Sequence, residues 1–335
     1  MGRLTAFQCD NAYQKGGDKS PHSKELSCLI QDANQHLPLI DTPLRRKLIC
    51  YPVKQTGIDH QTVLPSTAIA IIPARFDSTR LPGKALLDIA GTPMICRVVE
   101  RVLAARNVSR VIVATDDRRI FGVLSATGYE AIMTRGDHRT GTDRLAEVVE
   151  QMDDAEIIVN VQGDEPLIAP ETIERAVEAL MQDPDVGIVT TWEPMETAEE
   201  VLSPDIVKVV VDNKKTAIYF SRLPVPYPRD AVRKHGDISA ALTREPDLLR
   251  RFKKHTGLYV YRRDVLLQFS QWSPSELECE ESLEQLRALE HNVRIKAIKA
   301  STRSIGVDTS EDLARVRSIV EEMGLDTSTP IPISK

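Results

Sequence analysis

The sequence lacks the features that would direct it to a membrane, a secretory route or a disulfide-linked fold. No apolar run approaches the roughly eighteen residues that a membrane helix needs, and the N-terminus has no continuous hydrophobic region of the signal-peptide kind. The five cysteines are odd in number and include no C-x-x-C pair, which argues against a disulfide framework and a zinc site. These absences predict a cytoplasmic protein.

Two common phosphate-binding motifs are also missing. The 16 glycines form no G-x-G triplet, so the dinucleotide fingerprint is absent, and the chain has no G-x-x-x-x-G-K-[ST] loop. The net charge of −6 gives no support to a nucleic-acid binder that relies on bulk positive charge. Any phosphate that this chain binds must therefore be held by a few individually placed arginines and lysines.

What the sequence does contain is a polar N-terminal stretch followed by an α/β pattern. Residues 1–65 mix proline, glycine and polar residues without a sustained hydrophobic period, which predicts an irregular extension. Residues 66–325 are predicted to form the folded domain, and residues 326–335 a C-terminal tail. With 41% apolar residues in a chain of 335, the domain can build a sizeable core.

The first half of the domain alternates buried strands with amphipathic helices. The apolar run from Ala68 to Pro73 suits a strand buried on both faces, and Pro93 opens a helix with one apolar face. Further strands are predicted at 111–114, 157–161 and 187–191, and a helix at 170–181. This alternation predicts an α/β fold with a doubly wound, mostly parallel sheet.

The second half is richer in strands. The predicted elements are strands at 207–211, 217–221, 257–261 and 293–298, and a helix between Glu278 and Leu289. Asp212–Lys215 suits a hairpin turn between the first two of these strands. A last helix begins after Asp308, with Thr309 and Asp312 spaced as a capping box. The stretch 229–254 is predicted to be a mobile loop.

The densest group of candidate binding residues follows the first predicted strand. Arg75, Arg80 and Lys84 lie within ten residues of one another, where open parallel sheets bind their ligands. Such a loop could neutralise several of the roughly four negative charges of a triphosphate through charge-assisted hydrogen bonds. Gly83 and Ser78 would let a ligand approach the backbone closely. By composition alone, a solvated basic turn is an equally good interpretation.

Two aspartates follow elsewhere in the chain. Asp164 comes just after the strand at 157–161, where a carboxylate could hold a hard cation against phosphate oxygens. Taken singly, Asp164 is better interpreted as a cap of the following turn and Asp308 as a helix-start residue. Together with the basic loop they indicate phosphoryl transfer, which needs both cations and metal-binding carboxylates.

Longer segments resemble one enzyme family. They are IPARFDSTRLPGK, MTRGDHRTGTDRLAE and IIVNVQGDEP, followed in the family's order by VKVVVD, AIYFSR, HTGLYVYRR, LEQLRALE and GVDTSEDLARVR. Over about residues 68–320 the sequence resembles the 3-deoxy-manno-octulosonate (Kdo) cytidylyltransferases, the CMP-Kdo synthetases. The acylneuraminate cytidylyltransferases share the P-A-R…K loop but lack this continuous string of matches.

The resemblance implies a fold, an activity and partners. The fold would be of the nucleotide-diphospho-sugar transferase type, with a smaller strand-rich dimerisation subdomain at about residues 200–275. The enzyme would transfer CMP from CTP to the anomeric hydroxyl of Kdo and release pyrophosphate, which activates Kdo for lipopolysaccharide synthesis. It would use Mg²⁺, as two ions, and form a homodimer, without nucleic acid or membrane insertion. Two alternatives stay open: another 2-keto sugar acid as substrate (8-amino-Kdo or neuraminic acid), and a non-catalytic nucleotide-binding protein.

The resemblance also implies roles for individual residues. The catalytic set is Arg75, Lys84, Asp164 and Asp308, of which Asp164 and Asp308 would bind magnesium. The CTP-binding set is Pro73, Ala74, Arg75, Arg80, Lys84, Thr140, Gly141 and Gln162. The sugar-acid set is Arg222, Arg229, His255, Tyr259, Glu284 and Gln285.

Several of these residues have plainer interpretations, and two regions depart from the family pattern. Without the resemblance, Tyr259 would be interpreted as core packing, His255 as a polar residue at a strand start, and residues 284–285 as an exposed helix face. The segment T-G-T-D-R at 140–144 replaces the S-G-T-E-R often seen in the family, with the functional groups kept. The stretch 229–254 is longer than usual, which affects Arg229 more than Arg222.

Overall fold

The computed structural model describes residues 68–77, 80–153 and 155–324. The predicted extension 1–65, the tail 326–335 and Ser78 lie outside the described residues. The strands are β1 Ala68–Ala74, β2 Asp88–Ile89, β3 Thr92–Pro93, β4 Val108–Thr115, β5 Ala131–Met133, β6 Ile157–Asn160, β7 Ile188–Pro194, β8 Lys208–Val211, β9 Ala217–Ser221, β10 Lys253–Arg262 and β11 Ile295–Lys299.

The helices fill the connections between these strands. They are α1 Met94–Leu103, α2 Arg118–Thr127, α3 Gly141–Glu150, α4 Pro170–Met181, α5 Ala198–Leu202, α6 Arg229–His235, α7 Ile238–Arg244, α8 Arg263–Gln271, α9 Glu276–Glu281, α10 Gln285–Glu290 and α11 Ser310–Glu322, with 3₁₀ turns at Lys84–Leu86 and Pro246–Arg251. Within the described ranges, every helix is too short or too polar to span a bilayer.

Nine strands form one mixed sheet, with a main order of β11-β7-β10-β6-β1-β4-β5. β10 runs antiparallel to both of its neighbours, β7 and β6, whereas the other neighbouring pairs on this path are parallel. The antiparallel hairpin of β8 and β9 joins the sheet through β10. The predicted doubly wound, mostly parallel sheet is therefore confirmed.

Both faces of the sheet are covered, as the apolar run at its centre predicts. In β1, Ala70 and Ile72 pack into a core with the apolar sides of α1, α2 and α4. The alternate residues Ile69 and Ile71 pack into a second core with α3, α8 and α10. Because successive side chains of a strand point to opposite faces, a strand between two helix layers must be apolar throughout.

Two local predictions are wrong. The stretch 229–254 is not a mobile loop, because α6, α7 and the 3₁₀ turn Pro246–Arg251 pack into a small core that includes Val232, Leu242 and Phe252. The single helix expected between Glu278 and Leu289 is two helices, α9 and α10. Ser282 separates them with a left-handed φ of 52°, a conformation that cannot continue a right-handed helix.

Candidate active site

The basic loop after β1 folds back on itself. The N–H of Gly83 donates a hydrogen bond of 3.0 Å to the carbonyl of Phe76. Gly83 has a φ of +68°, and a Cβ at this position would lie 3.0 Å from the Phe76 ring. Only glycine satisfies both demands without strain. The closed loop brings Lys84, the first residue of the following 3₁₀ turn, to the carboxyl edge of the sheet.

Lys84 joins the two predicted aspartates. Its ammonium contacts the carboxylate of Asp164 and lies 3.1 Å from Oδ1 of Asp308. The N–H of Val307 also donates to the carbonyl of Asp164 over 2.9 Å, which holds the two aspartate-bearing segments side by side. The guanidinium of Arg80 lies 3.7 Å from Asp308. The expected convergence of both carboxylates on the basic loop is therefore present.

The simpler interpretations of the two aspartates do not account for their contacts. The N-cap of α4 is Ala169, without a side-chain bond, and the hydrogen bond that the structure shows for the Asp164 carboxylate comes from Lys84 and not from the N–H of a turn. The N-cap of α11 is Thr309, which forms the predicted capping box with Asp312. The N–H of Asp308 donates to Asp312 over 3.1 Å, and its own carboxylate is left to face Lys84 and Arg80.

The charge of Lys84 is stabilised by this arrangement. Burial is the largest single influence and favours the neutral amine. The combined attraction and hydrogen bonding of Asp164 and Asp308 outweigh it and raise the pKa of Lys84 above its ordinary value. Lys84 therefore remains an ammonium at neutral pH and can attract phosphate oxygens.

The donor set suits a magnesium ion that arrives with a nucleotide. Over the described ranges, no cluster of three or more His, Cys, Asp or Glu side chains could hold a metal alone. Asp164 and Asp308 supply two carboxylates at one point. Mg²⁺ is usually bound by one or two carboxylates, with substrate phosphates and water completing the octahedron. The residues present therefore fit Mg²⁺.

A second wall of the cleft contains residues predicted to bind CTP. Arg75 donates to the carbonyls of His138, at 2.5 Å, and Thr140, at 3.4 Å. Thr140 is the N-cap of α3, and a Cβ on Gly141 would lie 3.3 Å from the Pro73 ring. The start of α3 is thus packed against the end of β1.

Gln162 and Ala74 complete the predicted CTP-binding set. The side-chain amide of Gln162 is 3.4 Å from Oδ1 of Asn160, and a Cβ on Gly257 of β10 would lie 3.2 Å from Gln162 Cγ. Gln162 therefore lies between the end of β6 and the middle of β10. The Ala74 side chain is buried, so only its backbone is available to a ligand.

His255 and Tyr259 lie together on β10. Their ring centroids are 5.4 Å apart, and Tyr259 stacks on Tyr261 at 5.8 Å. Protein surrounds His255 on most sides although part of its surface stays open, and this burial lowers its pKa to about 3. Burial likewise raises the pKa of Tyr259 well above its ordinary value. Both rings are therefore neutral near pH 7, and Nε2 of His255 is 2.9 Å from the hydroxyl of Thr190.

Glu284 and Gln285 are not on an exposed helix face, so that interpretation is wrong. Gln285 is buried, and its side-chain nitrogen has no hydrogen-bond partner; the same is true of Oε2 of Glu284. Burial raises the pKa of Glu284, while the hydroxyls of Thr142 and Thr140 beside it partly offset the rise. A buried polar atom without a partner is costly, so both atoms are suited to bind a polar ligand.

The two arginines of the sugar-acid set are placed differently. The Arg222 guanidinium donates to the carbonyls of Glu281, at 2.6 Å, and Pro204, at 2.9 Å. Arg229 begins α6, is exposed, and lies 3.9 Å from Asp230. The structure gives neither side chain a contact with His255 or Glu284, and their roles stay predictions.

Residue-by-residue reasoning missed the groups that support the second wall. His138 contacts Glu147 through Nε2, and the buried Arg144 donates to Oδ2 of Asp116 over 2.8 Å. They fix the loop whose carbonyls hold Arg75. These residues stand in the conspicuous segment 133–147 and at the end of β4, but the sequence shows no partner for them.

Comparisons with known proteins converge on one family. The family model described as "Cytidylyltransferase" matches residues 69–295. The 3-deoxy-manno-octulosonate cytidylyltransferase of Trichlorobacter lovleyi is 50% identical over 254 residues, 76% of this chain and 98% of that protein. The enzyme of the same name from Geobacter sulfurreducens is 53% identical over 247 residues, 74% of this chain and 96% of that protein.

Solved structures agree with this relationship. CMP:2-keto-3-deoxy-manno-octonic acid synthetase complexed with CTP has a TM-score of 0.69 and 43% identity, covering 77% of this chain and all of that chain. A putative glucose-1-phosphate thymidylyltransferase from Bacillus anthracis has a TM-score of 0.53 at 15% identity, over 76% of this chain and 96% of that one. The second likeness concerns the fold alone and agrees with a nucleotide-diphospho-sugar transferase architecture.

Proposed function

The chain belongs to the 3-deoxy-manno-octulosonate cytidylyltransferase family, and we propose that it transfers CMP from CTP to the anomeric hydroxyl of Kdo in the cleft around Lys84. The observation that carries this assignment is the convergence of Asp164 and Asp308 on the Lys84 ammonium. Phosphoryl transfer needs cationic groups for the phosphates and carboxylates for a metal, and this point of the fold supplies both.

The basic loop performs the electrostatic part of the reaction. The hydroxyl attacks the α-phosphorus, and pyrophosphate leaves with negative charge developing on the transferred group and the leaving group. Arg75, Arg80 and Lys84 would bind the phosphates and stabilise that charge. Lys84 is already charged and partly desolvated before the nucleotide enters.

Asp164 and Asp308 would hold the magnesium, as two ions if each carboxylate anchors one. When bound, Mg²⁺ supplies charge stabilisation on the phosphates and lowers the pKa of the attacking hydroxyl. Among the described side chains of the cleft, His255 and Tyr259 are neutral near pH 7. They therefore act as hydrogen-bonding groups and not as charged partners of the sugar acid.

The proposed sugar-acid site lies between β10 and α10. Oε2 of Glu284 can accept a hydrogen bond from a sugar hydroxyl, and the Gln285 amide nitrogen can donate one to a hydroxyl or carboxylate oxygen. Both are buried without a partner, which supports a polar occupant. The two substrates would meet between this site and the basic loop. Orientation of the reacting groups at such a site can lower the barrier substantially.

An exposed apolar surface supports the proposed homodimer. Ile218, Leu223 and Tyr227 of the strand-rich part are 59%, 68% and 61% exposed. A second copy of the chain could cover these side chains symmetrically. The same proposal includes a cytoplasmic location and a part in lipopolysaccharide synthesis. Cys96 and Cys279 are both free thiols, which agrees with a reducing compartment.

The test is pyrophosphate release from CTP and Kdo with and without Mg²⁺. We expect release that depends on both substrates and stops when EDTA removes the metal. Parallel reactions with 8-amino-Kdo and neuraminic acid compare the sugar acids directly. A higher kcat/KM for either of these would make the alternative substrate correct. No release with any of the three sugar acids would favour a non-catalytic nucleotide-binding protein. The presence of Arg75, Lys84, Asp164 and Asp308 argues against that alternative.

A further inference from the structure

We propose that Ser304 and Glu165 are positioning residues that hold Asp308 beside Asp164. This inference rests on the proposed function, because it concerns how the second carboxylate of the metal site is placed. Residues Arg303–Asp308, here called the Asp308 segment, connect the region after β11 to the start of α11. The segment runs directly over Glu165, the neighbour of Asp164.

Ser304 is the anchor of the Asp308 segment. Its hydroxyl donates to Oε2 of Glu165, and its N–H donates to Oε1 of Glu193 over 2.8 Å. Glu193 lies at the end of β7 and is only 2% exposed. One serine thus binds two carboxyl groups that come from different parts of the sheet.

The rest of the segment is fitted closely to Glu165 and Asp164. A Cβ on Gly306 would lie 3.2 Å from Oε1 of Glu165, so a side chain there would crowd that carboxyl. One residue later, the N–H of Val307 donates to the carbonyl of Asp164. Asp308 then follows with its carboxylate at Lys84. The segment therefore contacts residues 164–165 at two places, Gly306 and Val307.

The Ser304 contacts are strong because the carboxyl groups have few other donors. A carboxylate taken out of water is costly unless it is hydrogen-bonded or paired. Glu193 has Arg303 at 3.7 Å and the Ser304 N–H, and its Oε2 lacks a hydrogen-bond partner. For Glu165, the Ser304 hydroxyl is the hydrogen-bond donor that the structure shows. Separating Ser304 from these groups would leave them poorly satisfied, which favours the observed placement.

This anchoring bears on catalysis because the Asp308 side chain has few rigid partners, although its N–H is bonded to Asp312. The Asp308 side chain is half exposed, and its ion-pair partners among the described residues are the long, flexible side chains of Lys84 and Arg80. Without the Ser304 hydroxyl, the links to residues 164–165 would be the main-chain bond at Val307 and the shared Lys84 ammonium. Misplacement of a reacting or coordinating group by about 1 Å can cost on the order of a hundredfold in rate. A smaller shift of Asp308 would still be measurable.

The experiment compares Ser304→Ala with Ser304→Thr, which restores the hydroxyl. We expect Ser304→Ala to lower kcat by about tenfold while the KM for CTP changes less than about threefold, because the basic loop is untouched. The affinity for Mn²⁺ in the presence of CTP, read from the EPR signal of the free ion, should weaken about fivefold. Ser304→Thr should recover most of both values. Circular dichroism verifies that each variant is folded.

The matched control is Thr172→Val. The Thr172 hydroxyl accepts from the N–H of Ser301 over 2.9 Å. Ser301 lies two residues before the Asp308 segment, so this variant removes a buried hydroxyl that binds the neighbouring backbone. Its stability should fall but its kcat and Mn²⁺ affinity should not. If Thr172→Val lowers kcat as much as Ser304→Ala, the effect is a general loosening and the proposal is wrong.

A double-mutant cycle with Asp308→Asn separates this inference from the function on which it rests. If Ser304 acts through Asp308, Ser304→Ala should have little further effect on kcat in the Asp308→Asn background. A full, additive loss in that background would overturn the proposal. If Asp308→Asn is inactive but Ser304→Ala keeps the wild-type kcat, the positioning role is refuted and the proposed function is not. A fully active Asp308→Asn refutes the metal assignment and, with it, the positioning role.

Discussion

Replacing Asp164 by asparagine tests the catalytic assignment most directly. The substitution keeps the size and shape of the side chain and removes the charge that a magnesium ion requires. Turnover should fall by about a thousandfold, close to the loss of a main electrostatic stabiliser and equal to roughly 4 kcal/mol of transition-state stabilisation. CTP affinity should fall much less, because Arg75, Arg80 and Lys84 still bind the phosphates.

The fold should tolerate this change. Asp164 loses its contact with Lys84, but the Lys84 ammonium keeps Asp308 at 3.1 Å, so no buried charge is left alone. The heavy penalty for breaking a buried pair therefore does not apply. The cost should stay near the value of a partly exposed pair, about 1 kcal/mol or less. Since Asp164 does not cap a helix, no capping energy is lost either.

The assay measures pyrophosphate release under saturating CTP and Kdo, with urea unfolding for stability. Asp185→Asn is the matched control, because Asp185 also pairs with a cation, Arg294 at 3.1 Å, but in the exposed turn between α4 and β7. That control should keep normal turnover. An Asp164→Asn protein that unfolds normally and turns over near the wild-type rate would show that Asp164 is not a metal ligand.

Three further predictions follow from the structure and the sequence. Because burial lowers the pKa of His255 to about 3, from 6.5, the unfolded chain binds a proton that the folded protein excludes between these values. The free energy of unfolding should therefore fall as the pH drops below about 6.5, and His255→Gln should reduce this slope in urea titrations; equal slopes would contradict the inferred pKa. A version of the chain starting at Ser66 should keep turnover within about tenfold of the full chain, since residues 1–65 are expected to supply no catalytic group; a larger loss, above roughly 1.4 kcal/mol, would assign them a role. Light scattering at micromolar concentration should give twice the chain mass, and Leu223→Asp should shift the protein toward the monomer; a monomeric wild type would rule out the dimer.

Local sequence rules predicted many individual elements. The apolar run after residue 68 is a central strand because only a strand covered on both faces can be apolar throughout. α4 spans Pro170–Met181, the range predicted for it, and Thr309 and Asp312 form the predicted capping box. Such rules succeed because the interactions they describe form between residues a few positions apart in the sequence.

They fail where stability comes from distant partners. α6 and α7 have seven residues each, which is too short for a helix to be stable alone. They form because Val232 and Leu242 pack with residues such as Val201 and Phe252. The break at Ser282 likewise allows α10 to turn Gln285 inward, although its position on a helix suggested an exposed face.

The candidate site shows the same division. The sequence by itself determined which groups are available: three cations near the end of β1, a carboxylate after β6 and another before α11. Only the tertiary structure decided that Asp164 and Asp308 share one ammonium, and that Ser304 and Val307 register their two segments. Strand order in the sheet and the path of the chain after β11 create these contacts. These contacts depend on how the whole core packs. That packing is the sum of many weak interactions between distant residues, which no short stretch of sequence contains.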